Sequence, residues 1–172
     1  MDDTIRREML ALLPRLRRFA YGLTGSIDEG DDLVQTTCER AIRHIDTWQP
    51  GTRLDSWMYR IARNTYFNAL RAKRTRADHL QSVDSNTANR VDGAGAMEAK
   101  LTFAAVRDFI GRLPEEQRSI VLLVCVEGLA YKEVSDILDL PIGTVTSRLA
   151  RARIALKSFA EGTGGAGAGD GD

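Results

Sequence analysis

The stretch YKEVSDILDLPIGTVTSRLARARIAL, residues 131–156, decides the fold. Its first half mixes signs, with Lys132, Glu133, Asp136 and Asp139; its second half carries Arg148, Arg151 and Arg153 and no acid. Val134, Ile137 and Leu138 share one face of a short helix over residues 131–138. DLPIG is a tight connection. Thr144 then stands where a longer helix is capped, with Val145, Leu149, Ala152 and Leu156 on its inner face. Short helix, brief turn, longer helix is the helix-turn-helix pattern. On the second helix Thr144, Ser147, Arg148 and Arg151 fall away from the apolar face, a set able to bond base edges and phosphates in a major groove. A solvated basic face on an ordinary helical hairpin has the same spacing, so the spacing alone leaves both readings open.

Overall charge does not decide between them, because 24 basic residues balance 24 acidic ones in the 172-residue chain. The distribution says more. Residues 53–76 hold seven basic side chains (Arg53, Arg60, Arg63, Arg71, Lys73, Arg74, Arg76) against Asp55, a net of +6. Residues 144–158 hold Arg148, Arg151, Arg153 and Lys157 against no acid, a net of +4. Two separate basic segments point to two polyanion contacts. The compensating acids lie elsewhere, among them Asp28, Glu29, Asp31 and Asp32.

A hydrophobic content of 43% and a charged content of 28% fit a folded chain with room for one domain or two small ones. Cys38 and Cys125 are far apart and outside any CxxC pair, so both read as small buried hydrophobes, not as a disulfide or zinc site. No apolar run approaches a membrane span, and MDDTIRREM is no secretory leader; a cytoplasmic protein is expected, without a membrane partner. His44 and His79 are isolated, no nucleophile–base arrangement is visible, and GTGGAGAG follows no strand. An enzyme reading is therefore poor, and no metal, cofactor or small-molecule substrate is expected.

Along the chain, Ile5, Met9, Leu12, Leu13, Leu16, Phe19, Ala20 and Leu23 predict a helix that Gly25 ends. Ser26 and Glu29 match a capping box for a second helix, with Leu33, Val34, Cys38, Ala41, Ile42 and Ile45 inward. WQPGTRLD breaks it, and a third helix starts near Asp55 or Ser56, carrying Trp57, Ile61, Tyr66, Phe67 and Leu70 to the basic end RAKRTR. Residues 82–96 are polar and small, a linker composition. Helices resume near Met97; in RLPEEQ, Pro114 suits a first turn and Glu115 and Glu116 the positive end of the dipole. Ile120, Val121, Leu123 and Val124 make the next buried face. The expectation is an all-α protein of two small helical domains, 1–80 and 98–160, with a flexible linker at 81–97 and a disordered Gly-rich tail at 161–172.

LPEEQRSIVLLVCVEGLAYKEVSDILDLPIGTVTSRLARARIAL resembles region 4, the C-terminal promoter-binding domain, of bacterial RNA polymerase sigma factors of the extracytoplasmic-function (ECF) group. DEGDDLVQTTCERAIRHIDTW resembles the region 2 helix pair that docks on core polymerase, and PGTRLDSWMYRIARNTYFNALRAKRTR the segment that recognises and opens the −10 element. Two motifs in this order, covering residues 4–78 and 98–159, are more specific than one helix-turn-helix and account for the second basic segment. The PGT start of the loop is similar to the alphaproteobacterial general-stress subgroup.

The resemblance implies a sigma factor, not an enzyme: it binds core RNA polymerase and directs it to promoter DNA. It places Thr144, Ser147, Arg148 and Arg151 at the −35 element, with Arg153 and Lys157 closer to phosphate. The −10 element falls to Gly51, Thr52, Arg53 and Leu54 as a pocket for an unstacked base, to Arg60, Arg63 and Asn64 at its upstream edge, and to Arg71 and Arg74 along the backbone. Its period with Ile61 makes Trp57 a core residue and leaves Tyr59 as the exposed aromatic. Asp31, Asp32 and Gln35, with apolar contact from Leu33 and Val34, would meet core polymerase; the earlier acids suit the helix dipole. An anti-sigma protein is the expected regulator and stress-response genes the expected targets.

Ala130 stands where the family usually has a capping Ser or Thr, Asp139 where the turn usually has Gly, Ser135 for an inner-face alanine, Thr146 for a lysine, and Asn68 for a frequent Asp. Two rivals remain. A free-standing helix-turn-helix regulator would bind DNA without polymerase, and the acidic start of the second helix argues against it. A decoy that titrates an anti-sigma protein should have lost its basic surfaces, and both are present here.

Overall fold

Asp2 begins the chain's first helix by accepting the backbone N–H of Thr4, and Gly25 ends it in a left-handed conformation, its N–H bonded to the carbonyl of Tyr21. In the computed structural model, which describes residues 2–79 and 99–164, this helix is α1 (Asp3–Thr24). It is followed by α2 (Ile27–Arg43), a 3₁₀ turn (Ile45–Thr47), α3 (Leu54–His79), α4 (Ala99–Arg112), α5 (Glu115–Val121), a π turn (Leu122–Val126), α6 (Tyr131–Leu138) and α7 (Ile142–Gly164). No strand occurs among the described residues, as the all-α expectation required. Helices α1–α3 belong to one compact unit and α4–α7 to a second. The expected linker, 81–97, lies outside the described residues. So does the tail beyond Gly164, whereas residues 161–164 continue α7.

The first unit is a three-helix bundle. Ser26 caps α2 by accepting the Glu29 N–H at 3.4 Å, and the Glu29 carboxylate lies 3.5 Å from Lys73 of α3. Gly30 lets α1 and α2 approach closely, since a Cβ there would stand 3.2 Å from the Tyr21 backbone. The core joins Met9, Leu16, Phe19, Ala20 and Leu23 of α1 to Leu33, Val34 and Ala41 of α2 and Leu54, Met58, Tyr59 and Ala62 of α3. Thr37 is also buried and satisfies its hydroxyl by donating to the Leu33 carbonyl at 2.7 Å.

This core differs from the sequence expectation in α3. The helix begins at Leu54, one residue earlier than expected, and its inner face is set by Leu54, Met58, Ala62 and Thr65. That phase turns Tyr59 inward to 1% exposure, edge-on to Phe19 at 5.1 Å and 72°, and leaves Trp57 half-buried. Tyr59 is therefore a core aromatic, not the exposed one. Ile42, expected inward, is 52% exposed.

In the second unit, Pro114 is the N-cap of α5 and not its first residue. Arg118 of α5 reaches back to the open end of α4, donating to the carbonyls of Ile110 (3.2 Å), Gly111 (2.6 Å) and Leu113 (3.2 Å). The Ile110 carbonyl also accepts the Leu113 N–H at 3.2 Å, and Arg118 adds a charged donor to the carbonyls at this helix end. After α5 the chain widens into the π turn, closed by the Glu127 N–H on the Leu122 carbonyl at 2.9 Å. The wider turn buries the adjacent Leu122 and Leu123 together and leaves Cys125 and Val126 outside. Cys125 is thus exposed, against the expectation of a buried thiol, while Cys38 is half-buried and its thiol is pushed up by burial.

Helices α6 and α7 close over this core through Val134, Ile137 and Leu138 on one side and Val145, Leu149 and Ala152 on the other. The unusual residues of the motif have local solutions. Ala130 has no capping oxygen, but its N–H donates to the Glu133 carboxylate at 2.8 Å, the reciprocal half of a capping box. Asp139 takes the left-handed turn position at φ 53°. Ser135 ties the turn shut: its hydroxyl donates to the Leu140 carbonyl at 2.5 Å, and its own carbonyl accepts the Leu140 N–H at 3.1 Å.

Candidate nucleic-acid interface

On α7, burial separates the side chains that can meet another molecule from those that hold the helix. Val145, Leu149 and Ala152 are buried, and Thr144 and Arg148 lie half-buried beside them. Thr144 sits inside the first turn, its N–H bonded to the Pro141 carbonyl, so it is not the cap that the sequence suggests. Arg148 forms an ion pair with Glu116 of α5, and its side chain is 26% exposed. The outward stripe consists of Thr146, Ser147, Ala150, Arg151, Arg153, Ile154 and Lys157. The hydroxyls of Thr146 and Ser147 donate to the Ile142 and Thr144 carbonyls, at 3.0 and 3.2 Å. The methyl of Thr146 and the Cβ of Ala150 therefore join the arginines on this face. Sequence reasoning passed over Ala150 and Ile154, although positions i+3 and i+7 from Ser147 mark the same face.

In the first unit the basic residues follow α3 outward. Arg60, Asn64, Asn68 and Arg71 are exposed at spacings of three to four residues, which places them on one side of the helix, and Lys73, Arg74 and Arg76 continue as exposed side chains. Asn68, noted in the sequence only as a departure from the family pattern, joins this row. Arg63 is half-buried over the Phe67 ring at 4.6 Å and donates to the Asn64 side chain at 3.3 Å.

The loop before α3 is a closed turn. The Gln49 carbonyl accepts both the Thr52 N–H, at 3.1 Å, and its hydroxyl, at 2.7 Å. Pro50 and Gly51 occupy the central positions, and Gly51 has φ +88°, as a type II turn requires. Gly51, Thr52 and Arg53 are exposed, whereas Leu54 is 5% exposed and belongs to the core, which removes it from any receiving pocket. Arg53 bends back onto Asp55 through two bonds, at 3.0 and 2.6 Å. Asp55 is buried and also meets Arg15 of α1 at 3.3 Å and the Ser56 N–H at 2.7 Å. Burial pushes its carboxyl up, but the Arg53 and Ser56 hydrogen bonds and the charges of Arg53 and Arg15 outweigh that and hold it below the usual carboxylate range.

The acidic start of α2 presents a different surface. Asp28, Glu29, Asp31, Asp32 and Gln35 are exposed. Asp31 is held by a two-pronged bond from Arg17, both contacts at 2.8 Å, and this hydrogen bond keeps its carboxyl below the ordinary value. Asp32 and Gln35 face outward, the latter bonded to Glu39 at 3.1 Å. Leu33 and Val34 are buried against the bundle and cannot supply the apolar contact expected of them. Among the described residues no group of three or more His, Cys, Asp or Glu side chains could hold a metal ion, and no helix is long and apolar enough to cross a membrane.

Known proteins share this arrangement. The Sigma-70 region 2 family matches residues 9–76, and the Sigma-70, region 4 family matches residues 103–156. The ECF RNA polymerase sigma factor EcfG of Rhodopseudomonas palustris is 35% identical over 159 residues, 92% of this chain and 86% of that protein. The ECF RNA polymerase sigma-E factor of Escherichia coli is 34% identical over 142 residues, 76% of this chain and 74% of that protein. The sigma factor RpoE of Bartonella quintana, solved in complex with the anti-sigma factor NepR, superimposes with a TM-score of 0.78 at 27% identity, covering 93% of this chain and 98% of that one. The outward basic faces of α3 and α7 are thus those of regions 2 and 4, and the chain belongs to the extracytoplasmic-function group of RNA polymerase sigma factors.

Proposed function

We propose that the chain docks on core RNA polymerase through Asp32 and Gln35 of α2, with Asp31 set by Arg17, and directs it to a two-element promoter. In this reading the outward stripe of α7, led by Ser147 and Arg151, reads the −35 element in the major groove, and Arg153 and Lys157 contact phosphate. The turn at residues 49–52 receives an unstacked −10 base, and Arg60, Asn64, Arg71 and Arg74 follow the strand. Thr144 and Arg148, half-buried, act from behind the −35 face, and Arg63 does so in the −10 row. The observation that carries the reading is the pair of outward basic faces, one on each unit, in the order of regions 2 and 4.

The complex of Bartonella RpoE with NepR supports control of this chain by an anti-sigma protein, and the likeness to EcfG supports a role in stress-response transcription. A cytoplasmic, non-enzymatic factor follows from the same reading. The test is co-elution with bacterial core polymerase, followed by run-off transcription on genomic fragments. Asp32→Arg is the control, because Asp31 is already committed to Arg17. Stoichiometric binding that Asp32→Arg loses is the expected result. No binding, with sequence-specific DNA retention by the protein alone, would replace this reading with a free-standing regulator.

A further inference from the structure

We propose that Asp55 is the positioning residue of the promoter-opening loop: it orients the turn at residues 49–52 by gripping Arg53, so that Arg53 serves the loop's geometry and not a phosphate. The proposal rests on the −10 reading above and adds the part that the reading does not contain. Three observations carry it.

First, a carboxylate at 8% exposure needs partners, and the donors that converge on Asp55 come from separate parts of the unit. Arg53 comes from the loop, the Ser56 N–H from the start of α3, and Arg15 from α1, where its guanidinium also lies 5.9 Å from the Tyr59 ring. Asp55 is therefore the point at which the loop is fastened to the body of the bundle.

Second, the contact from Arg53 is a fork, Nε to one carboxylate oxygen and Nη2 to the other, at 3.0 and 2.6 Å. A fork fixes direction as well as distance. With Arg53 fixed, the adjoining turn has little freedom, because its own ends are already closed by the two bonds to the Gln49 carbonyl. Third, the loop's other exposed members, Pro50, Gly51 and Thr52, carry no charge, so electrostatics alone does not orient it. A base leaving the stack loses its stacking contacts, and a receiver already in place offsets more of that loss than one that must first be ordered.

The experiment uses holoenzyme reconstituted with the full chain and a promoter fragment retrieved by run-off transcription, its −10 segment either paired or mismatched into a bubble. Arg53→Lys is the decisive variant, because lysine keeps the charge and loses the fork. We expect Arg53→Lys and Asp55→Asn to bind core polymerase as the parent does. On paired DNA both should open the promoter at least tenfold more slowly, read by permanganate reactivity of unpaired thymines. On the bubble both should initiate within about twofold of the parent, since the step that needs the loop is bypassed. Damage to the fold would not be rescued by the bubble.

Opening by Arg53→Lys at the parent rate would overturn the proposal and make Arg53 a simple phosphate contact. Loss of activity on both templates by both variants, with polymerase binding intact, would overturn it as well. Failure of the parent chain to bind polymerase would instead defeat the underlying −10 reading. If Asp55→Asn does not fold, Arg53→Lys decides alone, since Arg53 is exposed on the loop.

Discussion

Replacing Arg118 by methionine removes the guanidinium that closes the end of α4 and keeps an unbranched stem in its place. Three carbonyls lose a charged donor: Ile110, Gly111 and Leu113. A protein hydrogen bond contributes about 0.5–1.5 kcal/mol net, and these three share one group and are partly open to water, so their joint loss is about 2 kcal/mol. For a unit of about 60–100 residues, 1 kcal/mol moves Tm by about 4–8 °C, which predicts a fall of about 8–16 °C. The assay can be confined to the affected unit, because the chain's 2 tryptophans, Trp48 and Trp57, both lie in the first unit. Tryptophan fluorescence then follows α1–α3 alone, and far-ultraviolet circular dichroism follows both units. The transition silent in fluorescence should move and the other should stay. A shift below about 3 °C would show that water satisfies those carbonyls as well as Arg118 does, and would refute the reasoning.

Two further predictions follow from charges described above. Arg153→Gln should flatten the dependence of log K on log salt for promoter DNA by about 0.9, the loss of one phosphate contact, whereas Arg148→Gln should leave the slope unchanged because Glu116 already neutralises that charge; equal losses in a filter-binding titration would contradict the assignment. The Asp55 carboxyl is held below its unfolded value of about 3.9, so its contribution is complete above about pH 4 and is lost as pH falls from there through the folded value. Urea midpoints read by tryptophan fluorescence should drop more steeply below about pH 4 for the parent than for Asp55→Asn, and parallel curves would refute it.

What the sequence made legible was the periodic and the punctuated. The inner faces of α1, α6 and α7, the Gly25 stop and the Ser26 start each rest on a local rule, and each appears in the structure. The inner face of α3 was not legible, because Trp57, Tyr59, Ile61, Tyr66 and Phe67 put apolar side chains all round the helix. Only packing against Phe19 chose Tyr59 over its neighbours. The candidate interface shows the same division. Spacing and charge found the two basic helices, but no local rule tells an arginine that faces solvent from one that grips an acid distant in sequence. Arg148 is paired 32 residues back, and Arg17 14 residues ahead, so their roles emerge only once α5 meets α7 and α1 meets α2. Spacing already turned Leu33 and Val34 inward, but their place in a motif also gave them, like Leu54, to a contact surface, and the bundle core claims all three.

Gly51 carries a last consequence. A Cβ built there meets nothing within 4 Å, while φ is +88°. Handedness, and not room, is what excludes other residues at the tip of the turn. A mirror-image amino acid satisfies that backbone without strain and stiffens it. Assembled by peptide ligation, a chain with D-alanine at this position should keep its loop, while L-alanine should distort it. The same stereochemistry admits a D-residue bearing a photocrosslinker at the exposed apex of the turn, where it would test whether a nucleotide arrives there.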